Sequence, residues 1–195
     1  MADFIHSWIQ FFVLLTPFFA LSMFVLYTAD HDASQKKALA LKVTSAVFVL
    51  CFLLFFLGTP IFRLIGITID SFRVGAGALL FLSAVSLVRG QEKPGTSTDD
   101  IAVVPLAVPI IVGPATTGAI LISGAQATGA NGRIVALLAL AAAIVCIGLI
   151  LYASESIERF IKPRGIAILS KLTGLVLSAM ASQMVFDGAR NLLQG

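Results

Sequence analysis

The chain has 195 residues, 58% of them hydrophobic and 12% charged, and a mean hydropathy of +1.02. A soluble domain needs a polar surface that this composition cannot supply, so the lipid bilayer is the expected surrounding. The net charge of +3 and the pI near 9.1 are too weak and dispersed for a nucleic-acid partner and fit loop charge facing lipid headgroups.

A membrane-crossing helix takes about 20 largely apolar residues. The runs between charges predict six, at roughly 5–28, 43–62, 72–89, 103–126, 133–153 and 166–187. The first opens "MADFIHSWIQFF", with Asp3, no basic n-region and no clear small-residue cleavage site before Asp30. It is expected as a retained span, not a signal peptide. Within it, "LLTPFFALS" sets Thr16 and Pro17 in the middle of the apolar run. After span two, "GTPIFRLIGITIDSF" is itself apolar, so residues 58–71 fit a span end, a re-entrant hairpin or an outer loop. After span three, "GQEKPGTSTDD" is the clearest linker. It divides the chain into a first repeat, 1–90, a linker, 91–102, and a second repeat, 103–195. Span four begins "VPLAVPIIVGPATTG", three prolines and two glycines in one of the most apolar segments. Proline removes a donor and clashes with the preceding turn, and glycine loosens the backbone, so this span is expected to break. Cys51 and Cys146 sit in apolar runs of spans two and five and read as small buried hydrophobes.

The connections after spans one, three and five hold nine of the 13 lysines and arginines, among them Lys36, Lys37, Lys93, Arg159 and Lys162. Arg63, Arg73, Arg133 and Arg190 lie on the other side. The positive-inside rule makes the first set cytoplasmic and turns both termini outward. Three spans per half means that the second half enters from the opposite side, the condition for an inverted repeat. Laying Arg73 on Lys171 and Gly90 on Gly188 superimposes "RVGAGALLFLSAVSLVRG" on "KLTGLVLSAMASQMVFDG", and one residue off that register Pro17 falls on Pro114. The expected fold is all-α and integral to the membrane, six transmembrane helices in a 3+3 inverted repeat, with spans one and four broken by proline and glycine.

A helix that breaks inside hydrocarbon leaves unpaired N–H groups on one half and unpaired carbonyls on the other. The first attract a carboxylate and the second a cation, so two facing breaks suit a small zwitterion. The candidate site is Thr16, Pro17, Pro109, Gly113, Pro114, Thr116 and Thr117, with Gln183 and Gln126 as large neutral polar residues in or at the ends of spans. The hydroxyls either cap and bind or simply repair freed carbonyls, and both readings stay open. Gly75, Gly77, Ser83, Ser86, Gly174, Ser178 and Ser182 share helix faces and read first as close-packing surfaces. No charged residue falls at the centre of a span, which gives no support to a proton relay. Asp187 and Arg190 are expected to pair at the last helix end, and Glu155, Glu158 and Arg159 to form a solvated helix end. His6 and His31 have no ligand partners in sequence, so no metal or cofactor is expected. Neither a metalloprotease, serine-hydrolase nor phosphate-loop motif occurs, so the chain is not expected to be an enzyme.

"AVVPLAVPIIVGPATTGAILI", "FRVGAGALLFLSAVSLVRG" and "LTGLVLSAMASQMVFDGARNLL" resemble the MarC family of six-span bacterial inner-membrane proteins. The specific block is P-L-A-x-P-x-x-x-G-P, carried by Pro105, Leu106, Ala107, Pro109, Gly113 and Pro114. Some relatives are described as transporters of small neutral amino acids such as glycine and alanine, which the resemblance implies as substrate class. In span one such proteins commonly carry Asp-Pro or Asn-Pro, then glycine and a second proline. Here the matching positions are Thr16, Pro17, Phe19 and Ser22. The acidic or amide group is lost and Phe19 is expected to crowd the site, which leaves the break of span four as its better-matched half. The expected function is a secondary transporter or exporter of a small polar solute in the inner membrane. The alternative is a non-transporting scaffold whose breaks only shape the fold. A homo-oligomer is compatible with the small-residue faces.

Overall fold

The computed structural model describes residues 2–89, 106–107, 111–127 and 129–194. Among these there is no strand. The elements are α1 (Ala2–Leu14), α2 (Pro17–Tyr27), α3 (Ala33–Ile65), α4 (Ile69–Arg89), α5 (Pro114–Gln126), α6 (Gly129–Tyr152) and α7 (Ser154–Gln194). Five stretches are long and apolar enough to cross a membrane: Asp3–Tyr27, Ala33–Leu57, Ile69–Arg89, Gly129–Tyr152 and Arg164–Gln194. The expected fourth span is represented by the 13-residue α5 and the turn before it. The linker 91–102 and Pro109 lie outside the described residues.

Several boundaries differ from the sequence expectation. The helix α3 starts at Ala33, not near residue 43, because Asp32 and Gln35 form a reciprocal cap: Gln35 N–H donates to Asp32 Oδ1 (2.8 Å) and Asp32 N–H to Gln35 Oε1 (3.0 Å). Lys36, Lys37 and Lys42 therefore ride on a helix. At its other end α3 runs through Pro60 and is closed by Gly66, left-handed at φ 71, whose N–H donates to Phe62 O (3.0 Å). Residues 58–71 are thus a helix end, the turn 66–68 and the start of α4. Only Ala153 separates α6 from α7. Arg159, Lys162 and Arg164 lie on α7 and not in a loop.

The helix α4 packs most extensively on α7; α3 packs on α5 and α6, α1 on α6, α2 on α7 and α4 on α5. Glycines set the closest approaches. A Cβ at Gly77 would lie 2.7 Å from Val185 Cγ2 and 3.1 Å from Ala181 O. At Gly174 it would lie 3.0 Å from both Val88 Cγ2 and Ala84 O. In the register that lays Pro17 on Pro114, Gly77 falls on Gly174, Ala84 on Ala181 and Val88 on Val185. The α4–α7 contact is reciprocal: each glycine meets the counterparts of the residues that meet the other. Gly118 is pressed against Ala76 and Phe72, and Gly124 against the Phe55 carbonyl. Such contacts bind helices in lipid, where apolar burial drives little association.

The core is centred on Leu14, Leu15, Leu21, Phe24, Leu106, Ile111, Ile120, Leu140, Ile144 and Leu177, with Cys51 inside it. Leu53, Leu82, Leu138, Leu149 and Leu175 stand exposed on the outer faces, as a lipid-facing bundle requires. His6, Arg73, Gln126 and Asp187 line one cavity, so the starts of α1 and α4 meet the ends of α5 and α7 at one end of the bundle. At the opposite end Lys36 and Glu158 line another, and Lys37 Nζ sits 5.4 Å above the Tyr152 ring.

Candidate functional site

The first break follows from one proline and one residue of unusual backbone. Pro17 has no N–H to continue α1 and begins α2 instead, where its fixed φ is already helical. Thr16 turns the chain between them at φ 48, ψ 58, the only non-glycine residue with positive φ among those described. This left-handed conformation costs a side-chain-bearing residue about 1–2 kcal/mol. Thr16 N–H donates to Val13 O (3.0 Å), and Thr16 O accepts from Ala20 N–H (2.9 Å). Its hydroxyl, on a residue only 8% exposed, has no hydrogen-bond partner.

The second break is built differently. Val112 N–H donates to Ala107 O, five residues back, at 2.9 Å, a wide π-type turn. Gly113 then extends (φ −80, ψ 175) and Pro114 opens α5, with Thr117 N–H donating to Gly113 O (2.8 Å).

The two breaks meet. Thr116 Oγ1 donates to Leu14 O at 3.1 Å, across 102 residues of sequence and in a buried setting. Leu14 O belongs to the last turn of α1, and its α-helical donor would be the N–H of Phe18, which lies beyond the break in α2. The Thr116 hydroxyl supplies the missing donor from the other half of the chain. Of the expected residues, Thr16, Pro17 and Thr116 are buried at or beside this crossing, with Gly113 and Thr117 half-buried next to it. Phe19 is half-buried and packs on the main core, so it does not crowd an open site.

A cavity of about 410 Å³ enters between α1, α4, α5 and α7 and reaches Leu14. Its buried lining is apolar, with Leu14, Leu80 and Ile122; Arg73, Ser123 and Met180 are half-buried, and the polar His6, Gln10, Gln126, Gln183 and Asp187 are exposed. Gln183 lines this cavity, whereas Thr16, Pro17, Thr116 and Thr117 do not. The expected Asp187–Arg190 pair is not formed. The ion pairs among the described residues are Arg73–Asp70 (3.2 Å) and Arg159–Glu155 (2.7 Å). Asp70 Oδ1 also accepts from Asn191 Nδ2 (3.0 Å), which ties α4 to the end of α7 and leaves Asp187 at the cavity.

Sequence reasoning missed His6, Gln10 and Arg73 because they come from separate helices and share no motif. The serines of the small-residue faces bond within their own helices. Ser83 bonds to Leu79 O (3.0 Å), Ser178 to Leu175 O (2.8 Å) and Ser182 to Ser178 O (2.9 Å), each on its own helix.

The family model described as MarC family integral membrane protein matches residues 1–193. The chain is similar to a UPF0056 membrane protein of Methanocaldococcus jannaschii, 31% identical over 201 residues, covering 97% of this chain and 97% of that protein. It is similar also to the UPF0056 membrane protein YhcE of Escherichia coli, 26% identical over 197 residues (96% and 92% covered). The UPF0056 membrane protein YvbG of Bacillus subtilis is 26% identical over 199 residues (96% and 94% covered). No solved structure matches.

Proposed function

The chain belongs to the MarC family of integral membrane proteins, and on that premise we propose that it is a secondary transporter or exporter of a small polar solute, a small neutral amino acid being the best-fitting class. The observation that carries the reading is the polar-walled cavity that descends from the end bearing both termini to Leu14, the residue whose carbonyl joins the two helix breaks. A scaffold has no need of a water-sized path ending at two facing helix breaks.

The proposed architecture is six spans in a 3+3 inverted repeat, residues 1–90 against 103–195, with α5 as the second half of a broken fourth span. The reciprocal α4–α7 glycine contacts and the packing of α2 on α7 and of α5 on α4 support it. Transport then works by rocking one repeat against the other around the crossing of the breaks. The proposed placement is the plasma membrane, the inner one where a cell has two, with both termini outside, supported by the distribution of lysines and arginines.

One observation favours the scaffold instead: Thr16 and Thr116 are buried and line neither of the cavities at the two ends of the bundle. Uptake decides between the two. Purified protein in liposomes should take up labelled glycine or alanine saturably, and Gly113→Leu should abolish uptake while eluting as a folded species. Absence of saturable uptake, together with no shift in melting temperature by small solutes, would move the conclusion to the scaffold.

A further inference from the structure

A second cavity, of about 430 Å³, opens at the other end of the bundle and is lined by Ser22, Val25, Leu26, Ala29, Lys36 and Glu158 among others. In the register that lays Pro17 on Pro114, Ser22 falls on Ala119, Val25 on Ile122, Leu26 on Ser123 and Ala29 on Gln126. Those four counterparts are the α5 residues that line the first cavity. A stripe at i, i+3, i+4 and i+7 is one face of any helix. What the register adds is that the two half-helices show their cavities the same rotation, at the same depth beyond their prolines.

Both linings carry side chains of each charge sign, though not at register counterparts: Arg73, paired with Asp70, and Asp187 in the first along with His6, and Lys36 and Glu158 in the second. A lining with charges of both signs favours a solute without net charge over a bare anion or cation. Leu15, Leu106 and Ile111, at most 1% exposed, and Thr116, 6% exposed, line neither cavity. The lining of the first includes Leu14, beside the first break, whereas in α2 that of the second begins at Ser22.

We propose that the Ser22–Lys36–Glu158 cavity is a second solute-binding vestibule, the repeat-related counterpart of the first and the opposite mouth of the same path. The structure is then the state open toward the termini, and exchange of the repeats' conformations deepens the second cavity as it closes the first. This rests on the transport reading, but it is tested without transport.

In a Cys51→Ala, Cys146→Ala background, single cysteines are placed in the first cavity (Ser123→Cys, Gln126→Cys) and in the second (Ser22→Cys, Ala29→Cys). Sealed right-side-out and inside-out vesicles are treated with a membrane-impermeant maleimide, and an N-terminal tag reports which side bears the termini. The first pair should react only from the terminal side and the second pair only from the opposite side. Labelling of both pairs from one side, or a second pair unreactive from both sides yet reactive once denatured, overturns the proposal. Two positions per cavity, each checked by size exclusion, guard against one variant that fails to fold. Opposite-sided labelling without uptake of any solute removes the transport reading and leaves the two mouths standing; one-sided labelling with uptake intact removes this inference alone.

Discussion

Two threonines at the crossing should respond to the same substitution with opposite signs. Thr16→Val removes a buried hydroxyl that has no partner and keeps the side chain's branching, so the left-handed strain is the same before and after. Leaving a buried polar group unpaired costs about 1–3 kcal/mol, and Thr16→Val should recover the lower part of that. Thr116→Val instead deletes the donor to Leu14 O and strands a buried carbonyl beside Pro17. Hydrogen bonds between membrane helices average about 0.6 kcal/mol and reach about 1.7, and the stranded carbonyl moves this one toward the upper value. The expected changes are about +1 kcal/mol for Thr16→Val and about −1.5 kcal/mol for Thr116→Val, or roughly 2–4 °C up and 3–6 °C down at about 2–4 °C per kcal/mol. Thermal unfolding in detergent reads both, through the fluorescence of Trp8, the single tryptophan, or through a thiol-reactive dye reaching Cys51 as the core opens. If Thr16→Val melts as far below the parent as Thr116→Val, the Thr16 hydroxyl has a partner and the reasoning fails.

The same melting assay tests the α4 face: Gly77→Ala should destabilise by about 1–3 kcal/mol through overpacking against Val185, whereas Gly75→Ala, with nothing within 4 Å of the added carbon, should be neutral or slightly stabilising. Gly124→Ala forces a carbon into the Phe55 carbonyl of a neighbouring helix; a yield or melting temperature equal to the parent's would refute the α3–α5 approach. Gln183→Leu should leave the melting temperature within about 2 °C of the parent, since an exposed surface change costs within about 0.5 kcal/mol, and should weaken solute uptake several-fold. Equal uptake would take Gln183 off the path. Thr16→Asn should stabilise, because asparagine tolerates the left-handed backbone; a melt below that of Thr16→Val would count against strain at this position.

Both breaks were legible in the sequence because Pro17 and Pro114 each begin a helix, although proline alone does not dictate a break, since α3 runs through Pro60. The register that lays Pro17 on Pro114 was drawn from the prolines, and the same offset lays Gly77 on Gly174, two glycines at close helix contacts. Hydropathy was a poorer guide to where helices stop. It could not see that Asp32 and Gln35 cap a helix ten residues before the apolar run begins to read as a span, or that the charged turn around Glu155 and Arg159 stays helical through an i,i+4 pair. Nor could it find the cavity mouth, where His6, Arg73 and Asp187 come from three helices. The Asp187–Arg190 pair failed because spacing on one helix says nothing of a neighbour, and the Asp70–Arg73–Asn191 cluster took up the α4 carboxylate.

The departure at Thr16 gains a physical meaning from the backbone. The family pattern that this chain resembles has Asp or Asn before the first proline, and these are the residues that accept a left-handed conformation most readily after glycine. The position therefore has two demands, a backbone turn and a polar side chain, and Asp or Asn meets both. Thr16 keeps the turn at a conformational cost and keeps one hydroxyl, which finds no partner within the protein. Thr116, across the crossing, spends its own hydroxyl on Leu14. The closed crossing thus holds one satisfied and one unsatisfied hydroxyl, and neither threonine lines the cavity. Strain and an unmet hydrogen bond at a buried helix break are costs that a purely architectural break could avoid with glycine.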